Sequence, residues 1–450
     1  MGVARHPFMN ILIINLHYPP DTGATALIIR DLAEVMAQRH QVTVLAGRPS
    51  YEPKERHPYY LSRRQQQGNV TVVRVGTTAR HRKRMIGRLS NYLSYMLLAQ
   101  LRALTLRPKP DVIIAMTDPP LAVVLGAVTS LLRRRPLVYN IRDLHPDMAV
   151  ASGVVKAGMF TALWERLHRW AMKRARRIVV LGEDMKERIT GKGIPGERLA
   201  VVRDGADPSA TPASLDHPTV RTIRGDFPFV VVHAGNLGFA GTWDALLEAA
   251  QLLEPEGVGL TFIGEGAMRA SLEEKARGRP NVKFLPYFPA EEVPYVMAAG
   301  DLQTVTLRPG LEGLVVPSKL YPILMAGRPV LAVAPEASNL ARMVREHQCG
   351  LVVEQPSAQQ VAEAILWAKV HPQELAEMAR RSKQAGKLYD RQALALEFVR
   401  AIEDTAASPR GKPVGKVSAP GSTSSPRAAE NGSPQAAETG APRAGKNRSP

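Results

Sequence analysis

Apolar positions along the chain follow two alternating patterns. Short unbroken runs, such as NILIIN (10–15), QVTVLAG, NVTVVRVG, DVIIAMT, PLVYNIRD and RRIVVLG, read as strands covered on both faces. Most are separated by helical spacing: in TALIIRDLAEVMAQR, Leu27, Leu32, Val35 and Met36 fall on one side. This alternation predicts an α/β fold with a parallel, doubly wound sheet. VVRDGADPSATPASLDHPTV (201–220) breaks the pattern and reads as a linker. The pattern then restarts, with FVVVHAG, GLTFIG, NVKFLPY, LQTVTL, PVLAVAP and GLVVEQ as strands, so a second Rossmann-like domain is expected. The segment from Ser357 to Ile402 reads as mostly helical. From about residue 407 the chain is Pro, Gly, Ser, Ala, Lys and Arg, too poor in large apolar side chains to order itself.

Composition changes this picture in two ways. A formal charge of +18 favours anionic partners, whether phosphorylated substrates, anionic lipid or nucleic acid. No motif that reads RNA or DNA is present, so no nucleic acid is expected. The single cysteine, Cys349, rules out an internal disulfide and fits a reducing, cytoplasmic setting. The N-terminus carries no secretory pattern. The longest apolar run, Leu121–Leu132, ends in three arginines and falls well short of the roughly 20 residues a spanning helix needs.

Candidate chemistry sits in the loops that follow strands. YPPDTG, with Gly23, joins the first strand to the first helix, where open α/β sheets bind ligands and helix starts favour anions. It is not G-x-G-x-x-G, so no dinucleotide fingerprint is present; the alternative is a turn shaped by Pro19, Pro20 and Gly23. HAGNLGFAG, with Gly235, Asn236, Gly238 and Gly241, is the matching loop of the second domain, and its N–H groups suit a diphosphate. Glu265 in GEG either touches a sugar or base or caps a helix. Ser318 and Lys319 in GLVVPSK stand at the start of a helix running from Tyr321 to Gly327, where hydroxyl, ammonium and N–H converge on an anion. In NIRDLHPDMAV, His145 is crowded by Asp143 and Asp147; a histidine among carboxylates orients a hydroxyl or takes its proton, or the loop is simply polar. One histidine and two aspartates make too little of a ligand set, and no metal is expected.

Two basic stretches remain. Arg80–Arg84 precedes a helix whose Leu89, Tyr92, Leu93, Met96 and Leu97 form one apolar face. LWERLHRWAMKRARR places Trp164, Leu167 and Trp170 beside a basic flank. Each is a domain helix with a solvated basic end, or together they attach the protein to an anionic membrane surface.

Taken in order, YPPDTGATA, RDLHPDMAVASG, VVRDGAD, HAGNLGFAGTWDALLEAA, FIGEGAMRASLEE and VVPSKLYPILMAGRPVLA resemble the family-4 type glycosyltransferases of the GT-B fold, over about residues 9–402. The similarity is to the bacterial branch that builds capsule, exopolysaccharide and O-antigen repeats, the colanic-acid type included. The resemblance implies an acceptor domain over 9–205, a donor nucleotide-sugar domain over 206–385, a helix over 386–406 returning to the first domain, and a tail over 407–450. It implies retaining transfer of a hexose or N-acetylhexosamine from a nucleotide-diphosphate sugar to a glycan or polyprenyl-linked acceptor, with no metal or other cofactor. In this reading the protein is cytoplasmic, with a peripheral seat on the inner membrane allowed.

Site residues follow from the same resemblance. Gly23, Gly235, Asn236, Gly238, Glu265, Ser318 and Lys319 would bind the donor, PYFP (286–289) would lie near the nucleotide, and His145 with Asp143 would act on the transferred sugar. The chain departs from the family where a Glu pair is usual: Pro322 stands at the second position, and the first falls near Leu314, with Glu312 close but shifted. Ala240, Gly241 and Thr242 replace an Arg and a Lys after the glycine loop. These departures keep two alternatives open: a non-catalytic GT-B partner protein and a nucleotide-sugar epimerase of the same fold.

Overall fold

A computed structural model describes residues 7–21, 24–49, 60–78, 80, 85–208, 214–354 and 357–408. Gly23, residues 81–84 of the basic cluster and the tail beyond Ser408 lie outside them. Eight strands form the first sheet: β1 (Asn10–Ile14), β2 (Gln41–Ala46), β3 (Ser62–Gln67), β4 (Val70–Val75), β5 (Val112–Ala115), β6 (Leu137–Asn140), β7 (Arg177–Val180) and β8 (Leu199–Val201), in the order β3-β4-β2-β1-β5-β6-β7-β8. The second holds β9 (Phe229–Ala234), β10 (Val258–Ile263), β11 (Val282–Leu285), β12 (Leu302–Thr306), β13 (Val330–Val333) and β14 (Gly350–Val353), in the order β11-β10-β9-β12-β13-β14. Both are parallel except at one edge, where β3 pairs antiparallel with β4. No apolar pattern announces β3: its sequence is SRRQQQ, and a two-residue turn at Gly68 sets its register at Gln67↔Val70.

Alternate side chains of β1 feed opposite faces, as strands buried on both sides require. Leu12 and Ile14 pack with Tyr95, Ala99 and Ala103 of helix Met85–Thr105; Ile11 and Ile13 pack with Ile29, Ala33 and Met36 of helix Ala24–Ala37. The fully buried side of this first helix is Ala26, Ile29, Ala33 and Met36, with Leu32 and Val35 packed half-buried against the same layer, whereas Leu27 is exposed; Leu27 and the outer part of Leu32 line the interdomain cleft. Helix Arg391–Ala407 returns to the first sheet and seats Phe398, Val399 and Ile402 in the same layer as Ile11 and Ile13.

The chain passes between the domains twice, side by side. The Ala206 N–H donates to the Tyr389 carbonyl (3.0 Å), and the Arg391 N–H donates to the Ala206 carbonyl (3.0 Å). Gly205 permits this approach: a Cβ there would sit 2.6 Å from the Tyr389 oxygen. A second tie joins the halves near helix Glu183–Gly191. Oδ2 of Asp184 accepts from the Gly313 N–H (3.1 Å) and the Asn339 N–H (2.8 Å), while the Leu144 N–H donates to the Leu314 carbonyl (2.8 Å).

Candidate functional site

The second-domain wall begins where β9 ends. The amides of Gly235 and Leu237 are already taken, by the carbonyls of Ile263 (2.8 Å) and Glu265 (2.9 Å), which tie the loop to the end of β10. The diphosphate cradle expected of this loop is thus narrower than its glycine content suggests. The Gly238 carbonyl accepts from Nε1 of Trp243 (2.7 Å), folding the loop around the indole.

Lys319 reaches back across this loop from the start of helix Leu320–Met325, which has only six residues and so supplies little dipole. Its stem passes directly over Gly235: a Cβ there would lie 2.7 Å from Nζ, and the backbone φ of +148° already favours glycine. Nζ donates to Nε2 of His233 (2.9 Å), and Nδ1–H of His233 donates to the Thr304 carbonyl (3.2 Å). The imidazole is almost fully buried, edge-on to Trp243 with ring centroids 4.8 Å apart. Burial pushes the Lys319 ammonium down to about 7, and burial followed by the Lys319 charge drives His233 well below the usual histidine range. Lys319 has no carboxylate partner among the described residues.

A cleft cavity of about 480 Å³ brings Gly235, Asn236, Ser318 and Lys319 together with Tyr287 of the PYFP segment. Pro322, standing where the resemblance expects a carboxylate, lines the same space and offers a ribose no acceptor from its side chain. Across the cleft most of the charged groups are already matched, the exception being Arg203, whose Nε is buried without a partner among the described residues. Arg142 is ion-paired with Asp204, and Asp31 lies 2.7 Å from Arg30 and 3.4 Å from Arg391. Between these groups the wall is apolar, with Leu27, Ile28, Leu32, Leu394 and Phe398. Asn140 is buried beside them, with no partner for its Oδ1 among the described residues.

Other expected residues fall away from this cavity. Glu265 is largely exposed, neither caps a helix nor lines the cavity, and pairs with Arg269 (2.7 Å). Gly238 stands behind the loop, against Trp243. Asp143 and His145 follow β6, but there Asn140 and Arg142 form the cavity wall. Asp143 instead bridges to Val315 of the second domain. The His145 ring stacks on Trp164 (5.7 Å between centroids), and its Nδ1 is buried without a partner among the described residues. Burial raises Asp143 and lowers His145, each opposed by the other's charge.

Several wall residues carry no sequence-level role. Arg203, Asp204 and Gly205 fall in the stretch that reads as a linker, yet they line the cavity. His233 sits inside the apolar run FVVVHAG; a lone polar residue two positions before a loop glycine is the only signal for it.

With the geometry in place, the chain can be set beside known proteins. Residues 23–205 match the Glycosyl transferase 4-like domain family, and residues 228–368 match the Glycosyl transferases group 1 family. A probable glycosyltransferase, WbjE of Pseudomonas aeruginosa, is 27% identical over 253 residues, covering 53% of this chain and 61% of the relative, so the match spans less than two thirds of that protein's length. A putative colanic acid biosynthesis glycosyl transferase, WcaI of Escherichia coli K12, is 24% identical over 356 residues, 74% of this chain and 86% of the relative. Among solved structures, Anabaena Alr3699/HepE, crystallised with UDP and glucose, superposes with a TM-score of 0.63 at 20% identity, over 87% of this chain and 98% of that one. Its likeness extends to the fold.

Proposed function

The chain belongs to the family-4 type glycosyltransferases of the GT-B fold, and on that premise we propose that it transfers a hexose or N-acetylhexosamine, with retention, from a nucleoside-diphosphate sugar to a lipid-linked glycan. The observation that carries the donor half is Lys319, a cleft cation with no carboxylate among the described residues to neutralise it, beside Gly235, Asn236 and Ser318. A departing diphosphate gains negative charge as the glycosidic bond breaks, and an ammonium already aimed at that site stabilises it without reorganisation. Tyr287 at the rim offers a ring to the base. In this reading Lys319 compensates the phosphates and transfer persists in EDTA; loss of transfer on chelation refutes that part. Asp143 and His145 are proposed to act on the transferred sugar once a ligand fills the cleft.

The first test is a thermal-shift panel of nucleoside diphosphates and their sugars, UDP first because HepE was crystallised with it, beside Lys319→Ala. Stabilisation by one nucleotide, lost in the variant, supports the donor site. No shift with any nucleotide rejects it and favours a non-catalytic protein.

The acceptor half rests on the outer surface of the first domain. No helix among the described residues is long and apolar enough to cross a membrane. Helix Met85–Thr105 has two apolar sides, however. Tyr95, Ala99 and Ala103 enter the core, while Ile86, Leu89, Leu93, Leu97 and Leu101 are exposed by 53–75%. Helices Ala122–Arg133 and Met159–Arg174 pack alongside, adding exposed Leu131, Leu132, Met159, Phe160 and Leu163, and Arg166, Arg169, Lys173 and Arg174 rim the patch. An apolar stripe with a cationic rim suits the interface of an anionic bilayer. Co-sedimentation with phosphatidylglycerol vesicles, weak with phosphatidylcholine alone and lost in Leu93→Glu/Leu97→Glu, is the expected result. Equal partitioning of variant and parent counts against it.

A further inference from the structure

We propose that His233 is a positioning residue for donor binding: its Nε2 lone pair accepts from the Lys319 ammonium and holds it over the Cα of Gly235, where a diphosphate meets it. The inference rests on the donor reading above and concerns a residue outside the loops that reading uses.

The geometry fixes the roles of both ring nitrogens. Nδ1 faces the Thr304 carbonyl at 3.2 Å, so it must carry the proton; Nε2 is therefore a lone pair, and it faces Nζ at 2.9 Å. The ring has no freedom to turn away, since it is almost fully buried between β12 and the Trp243 indole. Among the described residues around it, nothing else performs this task. Around the pair, β9 supplies His233, β12 a carbonyl, helix Trp243–Leu253 an indole and β10 the Phe262 ring, with no carboxylate among them. Across the cavity, Arg142 with Asp204 and Asp31 with Arg391 are engaged with each other, and Arg203 adds a further cation but no carboxylate. A neutral acceptor holds the ammonium without cancelling its charge, which leaves that charge for the incoming anion. An aspartate at position 233 would hold it more tightly and neutralise it.

Burial of Lys319 gives the arrangement a measurable signature. The free lysine sits near 7, and a bound diphosphate favours the ammonium, so binding above pH 7 takes up a proton and affinity falls as pH rises. Removing the lone pair leaves the ammonium without an acceptor and moves this transition to lower pH.

The experiment is calorimetric titration of UDP, and of inorganic pyrophosphate as a base-independent probe, into the full chain from pH 6 to 9. Buffers of different ionisation enthalpy report the protons taken up. His233→Phe removes the lone pair, whereas His233→Gln keeps an acceptor. Expected are proton uptake by the parent, a fall in affinity towards about tenfold per pH unit above 7, a midpoint about one unit lower in His233→Phe, and substantial recovery in His233→Gln. A purely structural role lowers affinity equally at every pH, and that result overturns the proposal. Binding by the parent without proton uptake also overturns it while leaving the donor reading intact; no binding of either probe ends both. If His233→Phe fails to fold, the parent's proton uptake and the His233→Gln profile decide.

Discussion

The two walls of the cleft hold unequal numbers of charged groups, five on the first-domain side and Lys319 alone on the second, and use them differently. On the first-domain side, Arg142 has Asp204, Asp31 has Arg30 and Arg391, and only Arg203 keeps a buried Nε without a partner among the described residues. On the second-domain side, Lys319 has a neutral imidazole. Matched pairs contribute to the shape of a wall and leave little field for a ligand, whereas a desolvated cation with only a neutral partner remains available to an anion. Net charge alone, +18 here, distinguishes neither case.

The contrast is open to attack by mutation. Lys319→Ala is expected to have the largest effect, weakening nucleoside diphosphate binding about 100-fold by calorimetry, the value of losing charge-assisted hydrogen bonds in a dry site. Gly235→Ala comes next. Its methyl would lie 2.7 Å from Nζ at a φ of +148°, so a loss of about tenfold in the same titration is expected, with destabilisation of about 1–3 kcal/mol in urea. Asp204→Asn should reverse the balance: about 2–3 kcal/mol of stability lost as Arg142 is left without its partner, but diphosphate affinity changed by less than about threefold. A collapse of affinity there would mean that the paired wall also reads the phosphates. The smallest effect belongs to Leu93→Ser on the outer stripe, within about 0.5 kcal/mol of the parent, since the side chain is already 62% exposed.

What could be read from the sequence follows from how each element is buried. Strands covered on both faces declare themselves as apolar runs, so both sheets were legible, as was the second-domain cluster of Gly235, Asn236, Ser318 and Lys319. Edge strand β3 is solvated and polar, and nothing in SRRQQQ marks it. The first helix departed from its pattern at one position: Leu32, Val35 and Met36 pack on the core layer as read, but Leu27 has core-like chemistry and stands exposed at the cleft. Helix Met85–Thr105 read as one broad apolar face and divides into a packed side and an exposed one. Segment 201–220 looked like a linker, yet its first residues are a wall, since composition says little about what a short extended segment lies against. His233 stayed hidden because a buried run gives no sign of which member meets a side chain from 86 residues further on.

The paired crossing at Ala206 and Asp390 has a genealogical side. Both ends of the described chain belong to the first domain, and the second departs and returns through neighbouring backbone. Topologically it is an insertion, a cassette spliced into a host at one point. A lineage could exchange the whole second domain by recombination at 206 and 390 while keeping the host's outer face, and a chimera cut at those two positions would carry one parent's Lys319 wall and the other's outer surface.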